Sequence, residues 1–303
     1  MIVIRRAPAY ATVQDNGRRG YMASGVPRAG AMDVGALETL NALLGNPRNA
    51  AAIEWALTAG ELEFTDRVAV AIGGSKASAR INDRAIDGYR AYQCKQGDVL
   101  SIDAITSGRF LYLAFAGGLD LPVVMGSRST YVPGGFGGVE GRRLTKGDTL
   151  KPISSSRVRH HVADPLPAGL HPRRATGPIR FIPRGNPDEL TLSEWSLSSS
   201  SDRTGYRLAG QAVIGGASIT SEPVCPGVIQ LPPGGEPIIL MADAPTVGGY
   251  RILGTVISAD IGRFAQLNPG EPVSFAAVSV DAAQRELVAE AERIEQIREW
   301  TLG

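Results

Sequence analysis

The chain has 303 residues, room for two domains of ordinary size or one large β domain. With 43% apolar and 20% charged residues it can bury a core, which excludes wholesale disorder. A net charge of +1 gives no bulk electrostatic case for nucleic acid or an anionic membrane, and two cysteines, Cys94 and Cys225, are too few for a disulfide scaffold or a four-ligand zinc site.

The chain opens MIVIRRAPAY, with charges after the apolar residues and no apolar h-region, so no secretory leader is expected. Asn16-Gly17 then reads as a type I′ hairpin turn, because both central positions of that turn need positive φ. Asp33 is placed to N-cap a helix with Leu37, Leu40, Leu43 and Leu44 on one stripe, stopped by Gly45-Asn46-Pro47. Short apolar runs follow and read as strands: Arg67 to Gly73, Ala79 to Asn82, Val99 to Ile102 and Arg109 to Ala116. The longest wholly apolar run, Phe110 to Ala116, has seven residues, against the ~20 that span a bilayer, so a cytoplasmic protein with no membrane contact is expected.

Pro152 to Pro178 carries five prolines and all three histidines and reads as a linker. Beyond it, Gly227 to Leu231, Pro237 to Ala242 and Val273 to Val280 read as further strands. The chain closes on a helix from about Asp281 to Trp300. Asp281 and Gln284 form a capping box there, and Leu287, Ala291, Ile294 and Ile297 form an apolar stripe that packs on the protein's own barrel. Gly (37) and Pro (20) together exceed the usual ~12%, as a chain of many turns and short strands requires.

An internal echo divides the chain in two. Glu54 precedes a strand-rich stretch and so does Glu222; Asp87-Gly88-Tyr89-Arg90 returns as Gly248-Gly249-Tyr250-Arg251, and Gln96-Gly97-Asp98-Val99 as Pro269-Gly270-Glu271-Pro272-Val273. The same order at similar offsets suggests duplication of one β domain. The expected boundaries are 1–155 for a first β domain, 156–178 for the linker, 179–280 for a second β domain and 281–303 for the terminal helix.

Several chemistries are missing. There is no phosphate loop and no strand–GxGxxG–helix unit. The histidines have no metal-ligand spacing, so no metal is expected. The serines Ser196 and Ser198 to Ser201 lack the context of a nucleophile elbow or an amidase segment. What remains is a set of polar clusters on glycine-rich loops. In the first, Gln14, Asp15 and Arg18 either line a polar pocket or surround a plain turn. A second, Gly25 to Asp33, leads into the first helix. A third holds Arg128 and Arg142 among seven glycines in the 23 residues from Gly126 to Asp148, which permit close backbone approach to a ligand or serve a long mobile loop. A fourth runs Asp202-Arg203-Thr204-Gly205-Tyr206-Arg207, then Ser221-Glu222. In the fifth, the apolar strand Ile238 to Ala242 delivers Asp243 and Thr246 to a loop rim, where Asp243 serves either a ligand or its own turn.

Taken in order, VQDNGRRG, GVPRAGAMD, the LLGN helix end, AAIEW, YLAFAGGLDLP, GSRST, GRRLTKGD, SDRTGYRLAG, ITSEPVCPGVIQLPPGGEPIILMAD, VGGY and AQLNPGEPVSF resemble the biotin-dependent carboxyltransferase / allophanate hydrolase subunit 2 family over about residues 2–280. The resemblance implies a mainly β fold, all-β apart from a short helix in the N-terminal half and a C-terminal helix: two tandem cyclophilin-like β-barrel domains. It implies partners as well, the KipI-like B subunit of 5-oxoprolinase and its A subunit. With these, such proteins open the lactam 5-oxoproline to glutamate, driven by ATP hydrolysis. The small-molecule amide substrate and ATP would be shared with those partners.

Within that reading Asp15, Glu222 and Asp243 are the candidate bases. Arg18, Arg142, Arg203 and Arg207 are candidates to neutralise phosphate or carboxylate, and Gln14, Ser221, Gln230, Thr246 and Tyr250 to orient substrate. At the family's Asp-Arg/Gln-x-Thr-Thr-Gly-Gly-Tyr-Pro segment this chain reads Asp243-Ala244-Pro245-Thr246-Val247-Gly248-Gly249-Tyr250-Arg251, a departure at Ala244 and Val247. Two alternatives stand beside it. One is a carboxyltransferase component of a urea carboxylase-like system, for which this chain has no biotinyl-lysine site of its own, since Met32 is followed by Asp33. The other is a non-catalytic regulator that binds a KipI-like protein.

Overall fold

The computed structural model describes residues 1–153, 164–172 and 177–302, with 38% of the chain in strands and 19% in helices. Two curled, barrel-like sheets account for most of the regular structure, as the all-β expectation requires. The chain divides into two compact units. One comprises Met1–Gly17, Asp33–Pro172 and Ala291–Gly303; the other comprises Arg18–Met32 and Arg173–Glu290. The units therefore interleave along the chain, whereas the sequence division into 1–155, 156–178, 179–280 and 281–303 is collinear. The segment Arg18–Met32 goes with the second unit because it is bonded there: the Gly30 carbonyl accepts from the Arg203 guanidinium at 2.7 Å.

In the first unit the strands are β1 (Ile2–Arg6), β2 (Tyr10–Gln14), β3 (Ala52–Ala56), β4 (Gly60–Phe64), β5 (Val68–Ile81), β6 (Arg84–Ile86), β7 (Ala91–Cys94), β8 (Val99–Phe115) and β9 (Thr149–Leu150), with α1 (Val34–Leu43) between β2 and β3. The sheet runs β2-β3-β8-β4-β1-β9, and β5 pairs with β6, β7 and β8. Strand β8 organises it: residues 99–102 pair with β4 and residues 110–113 with β3, while β5 runs along the other edge.

The sequence reading breaks β5 and β8 into four strands. The structure keeps each continuous and bends it, with register shifts between Gly74 and Ala79. Gly74 sits at φ +97°, and a Cβ there would lie 2.5 Å from the Phe110 carbonyl oxygen, so the glycine absorbs the bend instead of ending the strand.

Alternation along these strands gives the sheet two unlike faces. One is apolar: Ile2, Ile4, Val13, Ile53, Trp55, Leu62, Phe64, Val70, Leu100, Leu113 and Phe115 form the core. The other carries a row running from Thr12 to Glu54, Tyr112 and Gly73 across β2, β3, β8 and β5. Helix α1 packs beside the end of that row, where a Cβ on Gly73 would come within 3.0 Å of Leu40. The helix begins as expected, with the Asp33 carboxylate accepting from the Ala36 amide at 3.0 Å. It ends as expected too, at Gly45 (φ +66°).

The Asn16-Gly17 hairpin does not form. Only Gly17 of the pair has positive φ (+77°), and β2 finds its partner in β3, beyond α1. Gly17 instead donates to the Asp15 carboxylate, which turns the chain without a second strand.

The second unit contains β10 (Ile179–Pro183), α2 (Asp188–Thr191), β11 (Trp195–Leu197), β12 (Gly205–Gly210), β13 (Ser218–Pro223), β14 (Val228–Leu231), β15 (Ile238–Leu240), β16 (Val247–Val256), α3 (Ser258–Ala265), β17 (Pro272–Val273) and β18 (Phe275–Ala277). Its sheet runs β17-β11-β12-β15-β14-β16-β10-β18, with β13 paired to β16 and, among the described strands, only the β10–β18 pair parallel. The aromatic rings of Phe181, Tyr206, Phe264 and Phe275 cluster inside it, with neighbouring centroids 5.4–6.5 Å apart. Helix α3 is tied to β10 by Asp260, whose carboxylate accepts from the Arg180 amide and guanidinium and from Arg263.

The last helix, α4 (Val280–Leu302), departs from the sequence reading at both its start and its stripe. Ser279, not Asp281 with Gln284, caps it, its hydroxyl accepting from the Ala282 amide. Ile294 and Ile297 are fully buried, but Leu287 is 52% exposed. The buried face lies in the stretch belonging to the first unit. There Arg293 reaches Thr39 Oγ1 and the Leu170 carbonyl, and Thr301 reaches the Ala42 carbonyl.

Part of the expected linker, with His160 and His161, lies outside the described residues. The remainder is not a loose tether. Leu166 is buried and donates its amide to the Tyr89 carbonyl, and the His171 ring lies 5.1 Å from that of Tyr89.

The internal echo matches only in part. Gly97 and Gly270 occupy similar tight turns, at φ +86° and +83°, each leading into a strand. Asp87 to Arg90, however, falls in the turn between β6 and β7, whereas Gly248 to Arg251 lies within β16. No helix among the described residues is long and apolar enough to cross a membrane.

Candidate functional site

In the first unit, polar side chains converge on the end of β2. The Asp15 carboxylate is buried and receives four donors: Ser127 Oγ at 2.6 Å, Ser129 Oγ at 2.5 Å, the Gly17 amide at 2.8 Å and the Arg128 amide at 2.6 Å. A carboxylate held this way clasps the loop 127–130 against β2. The Arg128 side chain is pinned as well, its Nε donating to the Leu121 carbonyl. Next to Asp15, the Gln14 carboxamide donates through Nε2 to Thr12 Oγ1 at 2.9 Å and to the Thr130 carbonyl at 3.1 Å.

Thr12 lies opposite Glu54 in the β2–β3 register, and Glu54 is fully buried. The Tyr112 hydroxyl donates to the Glu54 carboxylate at 2.7 Å and accepts from the Asp33 amide at 2.8 Å. Burial first, and the charges of Glu54 and Asp33 second, push the Tyr112 phenol well above its ordinary range, so it stays a donor to Glu54 at every physiological pH. Glu54, Tyr112, Ser127 and Ser129 do not stand out as site residues in the sequence. The alternation Ser127-Arg128-Ser129 is the readable signal, since it sets two hydroxyls on one side of an extended segment.

Arg142, expected among the substrate groups, is not in this cluster. It forms a bidentate pair with Asp148, 2.8 and 2.9 Å, and reaches Glu140 at 3.3 Å, closing its own surface turn. The Arg142 hydrogen bonds hold Asp148 below the usual carboxylate range against the opposing effect of burial.

In the second unit two groups form. In the first group, Arg203 and Asp243 make a buried bidentate pair at 2.8 and 2.9 Å, and Arg203 also donates to the Gly30 carbonyl. The Asp243 amide donates in turn to the Arg203 carbonyl. Thr246 is buried nearby in the chain and accepts the Val224 amide on its carbonyl. Arg18 is 1% exposed, and its amide donates to the Arg28 carbonyl.

The second group lies on β13, β14 and β16. Glu222 pairs with Gly248 in the β13–β16 register, and the Gln230 amide occupies the space that a Gly248 side chain would take. The Ser221 hydroxyl lies 3.4 Å from where a Gly249 Cβ would sit, and Tyr250 follows along β16, 39% exposed. Glu222 is held by the exposed Arg184 at 2.8 Å. The structure thus brings Ser221, Glu222, Gln230 and Tyr250 onto neighbouring strands. Arg207 stands apart, exposed on β12 with its amide bonded to Ser201 Oγ. Of the two departures from the family's segment, Ala244 has joined the small apolar core with Val224, Val228 and Leu240, whereas Val247 is 58% exposed.

Residues 24–277 match the carboxyltransferase domain, subdomain A and B. The chain belongs to this carboxyltransferase domain family. It is 39% identical to the C subunit of 5-oxoprolinase from Escherichia coli, over 100% of this chain and 99% of that protein. It is 35% identical to the corresponding C subunit from Haemophilus influenzae, over 94% of each. The fold superposes on the crystal structure of K. lactis urea amidolyase with a TM-score of 0.88 and 27% identity, covering 98% of this chain but only 20% of that much longer one.

Proposed function

We propose that this protein is one component of an ATP-dependent, 5-oxoprolinase-type enzyme that opens the lactam of 5-oxoproline to glutamate, acting in the cytoplasm with a KipI-like B subunit and with the A subunit. The observation that carries this reading is the end-to-end match at 39% identity, 100% of this chain against 99% of the Escherichia coli protein.

An amide carbon is a poor electrophile, so the assembly must both activate it and hold it still. The chemistry available to this chain is holding. Asp15, Asp243 and Glu222 are each engaged by donors, four in the case of Asp15, and act as anchors of the loops that carry the orienting groups. Gln14 in one unit and Gln230 in the other offer buried carboxamides, the side chains best matched to a neutral amide. Arg142 and Arg203 are each bidentate to a carboxylate of their own, so these two do not make a ready phosphate cradle, and we assign ATP to the partner proteins. Co-expression with both partners tests the proposal. The purified complex is expected to release ADP in the presence of 5-oxoproline only when all three proteins are present, and a complete complex without that dependence would refute it.

A second reading, carboxyl transfer to urea from a separately carried biotin, is favoured by the family match and by the fold shared with urea amidolyase. Transfer of labelled carboxyl from carboxybiotin to urea by this chain would select it over lactam opening.

A further inference from the structure

We infer that Gln14 is the group that recognises the N–H of the substrate amide, accepting it on Oε1. This rests on the amide-opening reading and deepens it, by naming the atom that tells an N–H amide from an N-substituted one.

Gln14 is 0% exposed, and its Oε1 is a buried atom with no hydrogen-bond partner among the described residues. Its orientation is not arbitrary. The Thr130 carbonyl can only accept, so turning the carboxamide over would set two acceptors against each other across 3.1 Å. Nε2 is therefore committed to Thr130 and to Thr12, and Oε1 is the atom left over. Thr130 is itself fixed. Its amide and hydroxyl both donate to the Val13 carbonyl, and it follows the serines clasped by Asp15. A rigidly aimed, buried acceptor without a donor is uncommon in a folded protein, because its desolvation goes uncompensated.

The surroundings decide which donor suits it. Thr12 Oγ1 already receives the Gln14 amide, and Glu54 lies opposite Thr12 with its carboxylate receiving the Tyr112 hydroxyl. Both neighbouring oxygens are thus already engaged, and Oε1 itself calls for a donor-bearing guest. Since Gln14 is covered in this state, entry of the guest must uncover it. A neutral N–H, from a lactam or from a urea, satisfies Oε1 without bringing in a charge that must itself be desolvated.

Side-chain 15N-labelled glutamine in the chain, within the reconstituted complex, provides the test, titrated with 5-oxoproline, urea and N-methyl-5-oxoproline. The Gln14 Nε2 resonance is expected to shift with an N–H donor and not with the N-methyl compound, which binds at least about tenfold more weakly. Gln14→Met is expected to abolish that discrimination. Thr12→Val, which keeps Oε1 but removes one anchor, is expected to reduce it, and this milder variant covers the case in which Gln14→Met does not fold. Absence of a Gln14 shift with either N–H compound, or undiminished discrimination in both variants, overturns the inference. A shift with urea but not 5-oxoproline keeps the role of Gln14 and discards lactam opening. Turnover of 5-oxoproline with no shift at Gln14 does the reverse.

Discussion

Asp15 shows how a carboxylate in a promising motif can be committed to architecture. Four donors converge on it, two of them hydroxyls 112 and 114 residues away in the chain. Its removal leaves the two hydroxyls buried without that acceptor, and the half-buried Gly17 and Arg128 amides lose it too. Asp15→Ala is expected to cost about 3–5 kcal/mol in urea denaturation, and Asp15→Asn less, since one oxygen survives. A residue acting only as a base would lose turnover while keeping wild-type stability, so the denaturation midpoint separates the two roles. The clasp is not legible in the sequence for a plain reason. Asp15 and Ser127 become neighbours only once the chain has folded, and no local pattern encodes that meeting. The Asp33 cap is legible because donor and acceptor are three residues apart. Arg203 and Asp243 both stand out in the sequence as site residues, but their engagement with each other depends on a contact across 40 positions.

At the scale of elements, glycine misleads where it bends a strand and informs where it ends a helix. Gly45 after α1 has the positive φ of a helix stop, whereas Gly74 has one inside a strand that continues. The join between β10 and α3 yields a prediction about pH. Burial of Asp260 would raise its pKa, but the hydrogen bonds from Arg180 and Arg263 outweigh burial, and the folded value lies below the usual 3.8. A carboxyl lowered by folding stabilises the native state above its unfolded pKa and loses that contribution as pH falls toward the folded value. The stability difference between wild type and Asp260→Asn is therefore expected to hold steady from neutral pH down to about 5 and to shrink below 3.8. Thermal melts across that range check it, and a difference independent of pH would show that the pair contributes nothing through its charge.

At the scale of the molecule, the linker and the internal echo anticipate two halves and the resemblance makes each a barrel, but neither says which segments go with which sheet. The stretch Arg18–Met32 and the end of α4 each belong to a different unit from their immediate neighbours in sequence, and composition gives no hint of this. Ile294 lies far along the chain from β1 and yet is fully buried in the first unit. Ile294→Ala is expected to cost about 2–4 kcal/mol and to raise hydrogen exchange in α1, while Leu287→Ala, seven residues earlier and exposed, changes stability by less than about 0.5 kcal/mol. Equal effects at the two positions would contradict this burial.

The same arrangement bears on how the protein is made. A ribosome delivers the chain in order, and the first unit is complete only when the end of α4 has emerged. Until then the surface of α1 that meets Arg293 and Thr301 lacks those two residues. Translation thus leaves the earlier segments of the first unit waiting on the codons from Ala291 onward. A message cut short just before them releases a nascent product whose damage lies far upstream of the cut.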